Sequence, residues 1–194
     1  MRFISIGTIS LGTLLSIALF PAMSVFLLLA DAYYDRRFPL IRAYLLLIFY
    51  GVWELVGITA AFLAWLFSGV WMGRNPTLFL EWNYTLQRLW VRGFAQIGLR
   101  LFNMTVCVEE EGHLPGNAPV LVLVRHTSLA DTILATYLMR IRRNFRLRYV
   151  MKQELLWDPC LDIVGNRLPN YFVDRASTDT QKEIEAISAL AEGL

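Results

Sequence analysis

The run APVLVLVRHTSLADT, Ala118 to Thr132, decides how the C-terminal half of this chain is read. Its first part, VLVLV, is too short and too β-branched for a helix and reads as a buried strand. Its last part opens a helix, LADTILATYLMR, with Ser128 as the N-cap and Asp131 at the third helical position, the spacing of a capping box. Between the two lies His126, where a buried strand leaves its sheet; in open α/β sheets that edge carries ligand sites. His126 and Asp131 are five positions apart. On one continuous helix that separation leaves two side chains about 140° apart, so the pair meets only if His126 lies in the turn. Two readings stay open: a His–Asp pair with chemistry, or an Asp131 that only caps a helix.

Outward from this run the pattern alternates. MTVCVEE reads as a strand, GHLPGNAP as a turn-rich loop, FRLRYVM as a strand and KEIEAISALAEGL as a helix. Strands alternating with helices predict an α/β domain with a largely parallel sheet. There are no internal repeats and no low-complexity linkers. Cys107 and Cys160 are isolated, which indicates neither a zinc site nor a disulfide framework, and no metal ligand set is expected. Between Asn75 and Leu194 there are 13 Lys plus Arg and 13 Asp plus Glu, so this region is neutral. Five Arg fall between Arg140 and Arg148 and read as a solvated helix end, with anionic lipid or the phosphates of an acyl-CoA as alternatives. A nucleic-acid role is excluded by the neutral balance and the lack of a stacking platform. His113 reads as a surface residue.

The N-terminal part is of another kind. From Phe3 to Ala30 there are 28 residues without a charge, and from Ala43 to Gly73 there are 31 with only Glu54 charged. Each suffices to cross a hydrocarbon core of roughly 30 Å at about 1.5 Å per residue. A cleaved signal peptide does not fit, because the first run exceeds an apolar signal region of about 15 residues and no small-residue cleavage site precedes Asp31. Residues 1–74 therefore read as two membrane-embedded helices, joined as a hairpin by DAYYDRRFPLIR, whose aromatic and Arg residues suit a membrane interface. Arg2, Arg74, Arg88, Arg92 and Arg100 against Arg36, Arg37 and Arg42 place both termini in the cytoplasm. Pro21 is positioned to kink or break the first helix. Glu54 within a span is either functional or paired with a neighbouring helix. Residues 75–105 follow as an amphipathic helix, with Leu86, Leu89, Trp90, Ile97 and Leu101 beside Arg88, Arg92 and Arg100. That pattern suits a lipid interface or a soluble core.

Eighteen positions beyond Asp131 begins YVMKQELLWDPCLDIVGNRLPNYFVDR. With it, the chain resembles the 1-acylglycerol-3-phosphate acyltransferase family of lysophospholipid acyltransferases over roughly Trp82 to Leu194. That family's N-H-x-x-x-x-D motif is matched by Arg125, His126 and Asp131, with Arg in place of Asn. Its K-x-E-L, Pro, Gly and F-I-D-R elements are matched by Lys152, Glu154, Leu155, Pro159, Gly165, Phe172, Val173, Asp174 and Arg175. Two departures stand out: NRLPNY lengthens the path from Gly165 to Phe172, and the family's Glu-Gly-Thr segment does not occur before the chain stops at AEGL. Residues 106–194 are accordingly expected to be the N-terminal part of a glycerolipid acyltransferase-like α/β sheet domain, truncated before that motif.

The resemblance implies a mechanism without cofactor or enzyme nucleophile. His126 would act as general base on the free hydroxyl of a lysophospholipid, oriented by Asp131. Arg175 and Lys152 would bind the acceptor phosphate. Acyl-CoA or acyl carrier protein would supply the acyl group, and 1-acylglycerol 3-phosphate would become phosphatidic acid. The protein would be integral to the membrane, with its catalytic domain on the cytoplasmic face. The alternative is a non-catalytic membrane protein that binds lipid or scaffolds partners.

Overall fold

Long apolar runs satisfy their backbone groups internally by coiling, and the computed structural model shows this over the first hundred residues. It describes residues 2–34, 37–109, 120–124, 129–142, 145–174 and 180–192. Helix α1 spans Arg2–Ala18 and α2 spans Phe20–Tyr34. Pro21 lies in the first turn of α2, where a missing N–H is tolerated. The break it causes is one residue wide, since Leu19 N–H still donates to the Leu15 carbonyl and Met23 N–H to that of Leu19, both at 2.9 Å.

Helix α3, Pro39–Ser68, returns beside them. Its start is set by two residues. Phe38 takes a left-handed conformation (φ 56°), and Pro39 follows at the first helical position. The orphan N–H groups of that first turn are then taken by Asp31 from α2: Oδ1 accepts from Leu40 at 3.0 Å and Oδ2 from Ile41 at 2.9 Å. The α3 end is closed by Gly69, left-handed at φ 69°. α1 and α3 touch where Thr13 packs against Gly51, too closely for any side chain there. The Tyr44 hydroxyl adds a 2.7 Å bond to the Ser16 carbonyl. Arg2–Tyr34 and Pro39–Met72 are both long and apolar enough to cross a membrane.

Helix α4, Pro76–Leu101, occupies the segment whose periodicity predicts an amphipathic helix. It buries Asn83, Tyr84, Val91 and Ala95 and leaves Arg88, Leu89 and Arg92 exposed. Its contact with α3 is aromatic: the Phe94 ring meets those of Phe49 and Tyr50, with centroids 6.2 and 5.8 Å away, and Trp53 Nε1 donates to the Trp90 carbonyl at 3.1 Å.

The C-terminal part is smaller in sheet than its sequence predicts. Helix α5 spans Leu129–Thr136 and runs into a wider π-turn, Tyr137–Arg142. Strand β1 is Val150–Lys152 and β2 is Tyr171–Val173, paired in parallel with Lys152 opposite Val173. A parallel pair needs a crossover. Here it consists of a 3-10 turn, Gln153–Trp157, and helix α6, Pro159–Gly165. Helix α7, Thr180–Glu192, follows. Among the described residues β1 and β2 form the only sheet, and the chain is mainly helical.

Two strand expectations fail here. Residues 104–109 and 120–124 carry no strand, and Leu121 and Leu123 are 85% and 87% exposed rather than buried. An apolar run specifies a strand only through a partner that takes its N–H and C=O groups, and these residues have no ladder beside them.

The core lies between the apolar helices and the crossover. Ala61 of α3, Tyr84 of α4, Cys160 and Val164 of α6, and Leu168 just beyond it form one buried cluster, with Leu80, Leu86, Trp90 and Ile163 packed around it. Leu168 belongs to the NRLPNY stretch that lengthens this loop. That stretch is therefore a docking element, fitting the crossover onto α3 and α4.

Candidate active site

Lys152 ends β1, exposed, and caps the 3-10 turn that follows. Its register partner Val173 ends β2, and Asp174 follows, also exposed. Parallel strands put their C-terminal ends on one edge, so Lys152 and the start of the VDR segment share that edge. Asp131 is the third residue of α5, half-buried and engaged in the fold. His126 and Arg175 themselves lie outside the described residues, as does His113.

The most constrained polar chemistry sits where the crossover meets α3. Glu54 is fully buried. Its Oε1 accepts from Trp90 Nε1 at 2.8 Å and its Oε2 from the backbone N–H of Cys160 at 3.0 Å. Asp158, the N-cap of α6, accepts from Leu161 N–H at 2.8 Å through Oδ1 and from the Tyr50 hydroxyl at 2.8 Å through Oδ2. The two orphan donors at the α6 start are thus taken by two carboxyl groups, one local and one from α3. Of the alternatives for Glu54, the paired one describes its geometry.

Cys160 fills the gap over Gly57, where an added Cβ would come within 2.5 Å of its Sγ. Burial, reinforced by the neighbouring Glu54 and Asp158 carboxyls, pushes the Cys160 thiol well above the ordinary range. A thiol held protonated is a poor nucleophile, so Cys160 is a packing residue and not an acyl carrier.

Arg167 completes the attachment. Its Nη1 donates to the Ala61 carbonyl at 2.8 Å and its guanidinium lies 5.1 Å from the Phe79 ring centre. Burial lowers its pKa, with the positive charge of Arg2 adding to the effect. In the first turn of α6, Asp162 accepts a two-pronged bond from Arg2, 2.6 Å from Nε and 3.0 Å from Nη2. No metal-type cluster of His, Cys, Asp and Glu occurs among the described residues.

Tyr50, Asp158 and Arg167 were not singled out by motif, although signals exist. Asp158-Pro159 is an N-cap followed by Pro at the first helical position. Tyr50, Glu54, Gly57, Ala61, Ala64 and Ser68 recur at a spacing of four and three, a stripe of mostly small residues on one face of α3.

The edge carrying Lys152 and the segment leading to Arg175 lie in the region that a family model matches. Residues 105–193 match the Acyltransferase family model. No curated protein and no solved structure gives a significant match. The acyltransferase match takes in α5, β1, α6, β2 and α7, together with His126, Asp131, Lys152 and Arg175, and it supports acyl transfer as the general activity. Helices α1 to α4 lie outside it.

Proposed function

We propose that this chain is a membrane-bound O-acyltransferase that esterifies the free hydroxyl of a lysophospholipid, 1-acylglycerol 3-phosphate being the acceptor that its residues fit best. The observation that carries the reading is the acyltransferase match over residues 105–193, within which His126 and Asp131 stand at the motif spacing and Asp131 lies in the first turn of a helix. In the proposed reaction the neutral His126 imidazole takes the proton of the acceptor hydroxyl as that oxygen attacks the thioester carbonyl of acyl-CoA or acyl carrier protein. The ester C–O bond forms, the C–S bond breaks, and the leaving thiolate takes the proton from the imidazolium. Asp131 holds the imidazole tautomer and stabilises its charged form. Arg175, with Lys152, meets the acceptor phosphate through charge-assisted hydrogen bonds. In this reading the two apolar helical segments anchor the domain at the lipid surface where its acceptor resides, and the arginine balance argues for the cytoplasmic side.

The test is acyl transfer to a lysophospholipid in detergent micelles. His126→Ala lowers turnover by at least roughly 10²-fold, the low end of general-base assistance, while lipid binding persists. Arg175→Ala chiefly raises KM for the phosphorylated acceptor, by about 1.5–3 kcal/mol equivalent. Unchanged turnover in His126→Ala rejects the mechanism. A second reading, a lipid-binding protein without catalysis, is favoured by Arg125 standing where the motif has Asn; it predicts binding of the acceptor with no transfer by the unaltered chain.

A further inference from the structure

Glu54 stands at the middle of α3, and the crossover packs against that middle: Tyr50, Glu54 and Ala61 are bonded to Asp158, the Cys160 N–H and Arg167. Helix α4 takes a second side of α3, lengthwise. Phe49 meets Phe94, Trp53 meets Trp90, Ala61 shares a cluster with Tyr84, and Phe67 lines a seam with Trp82, so the two helices run antiparallel over about 27 Å. Helix α1 takes the third side, where Thr13 packs on Gly51. What remains of α3 is one open strip. Val52, Val56, Thr59 and Leu63 lie on the side of the helix opposite Glu54, Gly57 and Ala61, and all four are exposed. The strip joins α1 in a seam with Leu14 and Ile17, and joins α4 in a seam with Trp82 and Thr85. Its hydroxyl groups are satisfied within their own helices: Thr13 donates to the Ile9 carbonyl and Thr59 to that of Leu55, both at 2.7 Å. This surface is in effect hydrocarbon.

The outer side of α4 continues it with charge. Leu89 is exposed beside Arg88 and Arg92, with Arg100 two turns further on. Among the described residues these three guanidinium groups have no hydrogen bond or ion pair, and the one acidic residue of α4, Glu81, is taken by Arg146. Were α3 upright in a bilayer, α4 beside it would carry the unpaired Arg88 and Arg92 to the depth of its middle, where such charges are costly. Laid flat, the same surface meets lipid without conflict. We propose that the outward face of α1, α3 and α4 lies in the plane of one membrane leaflet, its seams filled by lipid chains and Arg88, Arg92 and Arg100 set among the phosphates of anionic lipids. The length of α3 then runs along the membrane and does not cross it, and the crossover packs on the side turned away from lipid. This rests on the reading of these helices as lipid-embedded; the arginine rim supplies the charge complementarity to an anionic surface.

The experiment uses the full chain in lipid vesicles. The exposed Cys107 is replaced by Ser, Cys160 being buried, and a spin label is attached in turn at Val52→Cys, Val56→Cys, Leu63→Cys and Phe67→Cys, all at exposed positions. The first and last are about 22 Å apart along the helix. Depth in the bilayer is read from collision of each label with oxygen and with a water-soluble nickel complex. The four labels should agree to within about 5 Å, just below the headgroups. A steady change of about 20 Å that passes through the bilayer midplane overturns the proposal. The arginines are tested by letting the chain distribute between vesicles of phosphatidylcholine alone and vesicles containing phosphatidylglycerol. The parent should favour the anionic vesicles, and replacing Arg88, Arg92 and Arg100 together by Gln should reduce that preference by roughly tenfold or more. An unchanged preference overturns their place among the phosphates. A chain that stays with neither kind of vesicle refutes the membrane reading of these helices itself, a different failure from an upright α3.

Discussion

Arg2–Tyr34 and Pro39–Met72 are near equals in length and apolar character, and they serve the fold differently. The first buries only Ser5, Thr13 and Asp31, and points Phe3, Leu14, Phe26 and Leu29 outward. The second buries Gly51, Glu54, Ala61, Ala64 and Ser68 and forms one wall of the core under α6. The difference lies in side-chain size along a face. On α3 the small residues at positions 57, 61 and 64 let another backbone approach, and Glu54 on the same stripe supplies an acceptor for what arrives. On α1, Gly7 and Gly12 have nothing near them to receive. Hydropathy says that a segment leaves water; the face decides whether it enters lipid or protein.

The sharpest way to break this contrast is truncation. Removing residues 1–34 leaves the shared core of α3, α4 and α6, and the shortened chain should still unfold in one cooperative denaturant transition. Removing residues 1–73 uncovers Tyr84, Cys160, Val164 and Leu168 and takes away the Glu54 acceptor, and the transition should disappear. Equal behaviour of the two deletions would make α3 as dispensable as α1.

A smaller effect comes from matched glycine substitutions. Gly57→Ala drives a methyl group into Cys160 Sγ and should cost about 1–3 kcal/mol in the midpoint-derived stability. Gly12→Ala meets nothing within 4 Å and should stabilise by up to about 1 kcal/mol, the gain in helix propensity. The same sign for both would erase the difference between the two faces.

Next is the joint of the hairpin. Asp31→Ala removes both acceptors at the α3 start and should lower stability by about 0.5–2 kcal/mol, read from the same unfolding curves. Smallest of all is Arg2→Ala. Its pair with Asp162 is geometrically good, yet the Arg2 side chain is 52% exposed, so the loss should stay below about 1 kcal/mol and shrink with added salt. A larger loss would mean that α1 holds α6 as firmly as α3 does.

Much of the helical frame is legible in the order of residues. Two long apolar runs and the apolar spacing of Leu86, Trp90 and Ile97 mark helices that are found at Arg2–Ala18, Phe20–Tyr34, Pro39–Ser68 and Pro76–Leu101. Asp131 lies in the first turn of a helix at Leu129–Thr136, while the Ser128 cap lies outside the described residues. VLVLV misleads because its strand character depends on a neighbour many residues away, and no such ladder is found at 120–124. Glu54 stands between these cases: its oddness is visible in sequence, its partners are not.

By itself the sequence determined what depends on near neighbours: helix periodicity, caps, the apolar segments, and the motif residues His126, Asp131, Lys152 and Arg175 that carry the acyltransferase resemblance. The tertiary structure alone decided what depends on contacts across about a hundred positions. It joined Glu54 to Cys160 and Tyr50 to Asp158, seated Leu168 in the core and made α3 a wall of that core. The physical reason is that a buried carboxyl group must find donors wherever the fold brings them, and local spacing holds no record of which distant backbone will arrive.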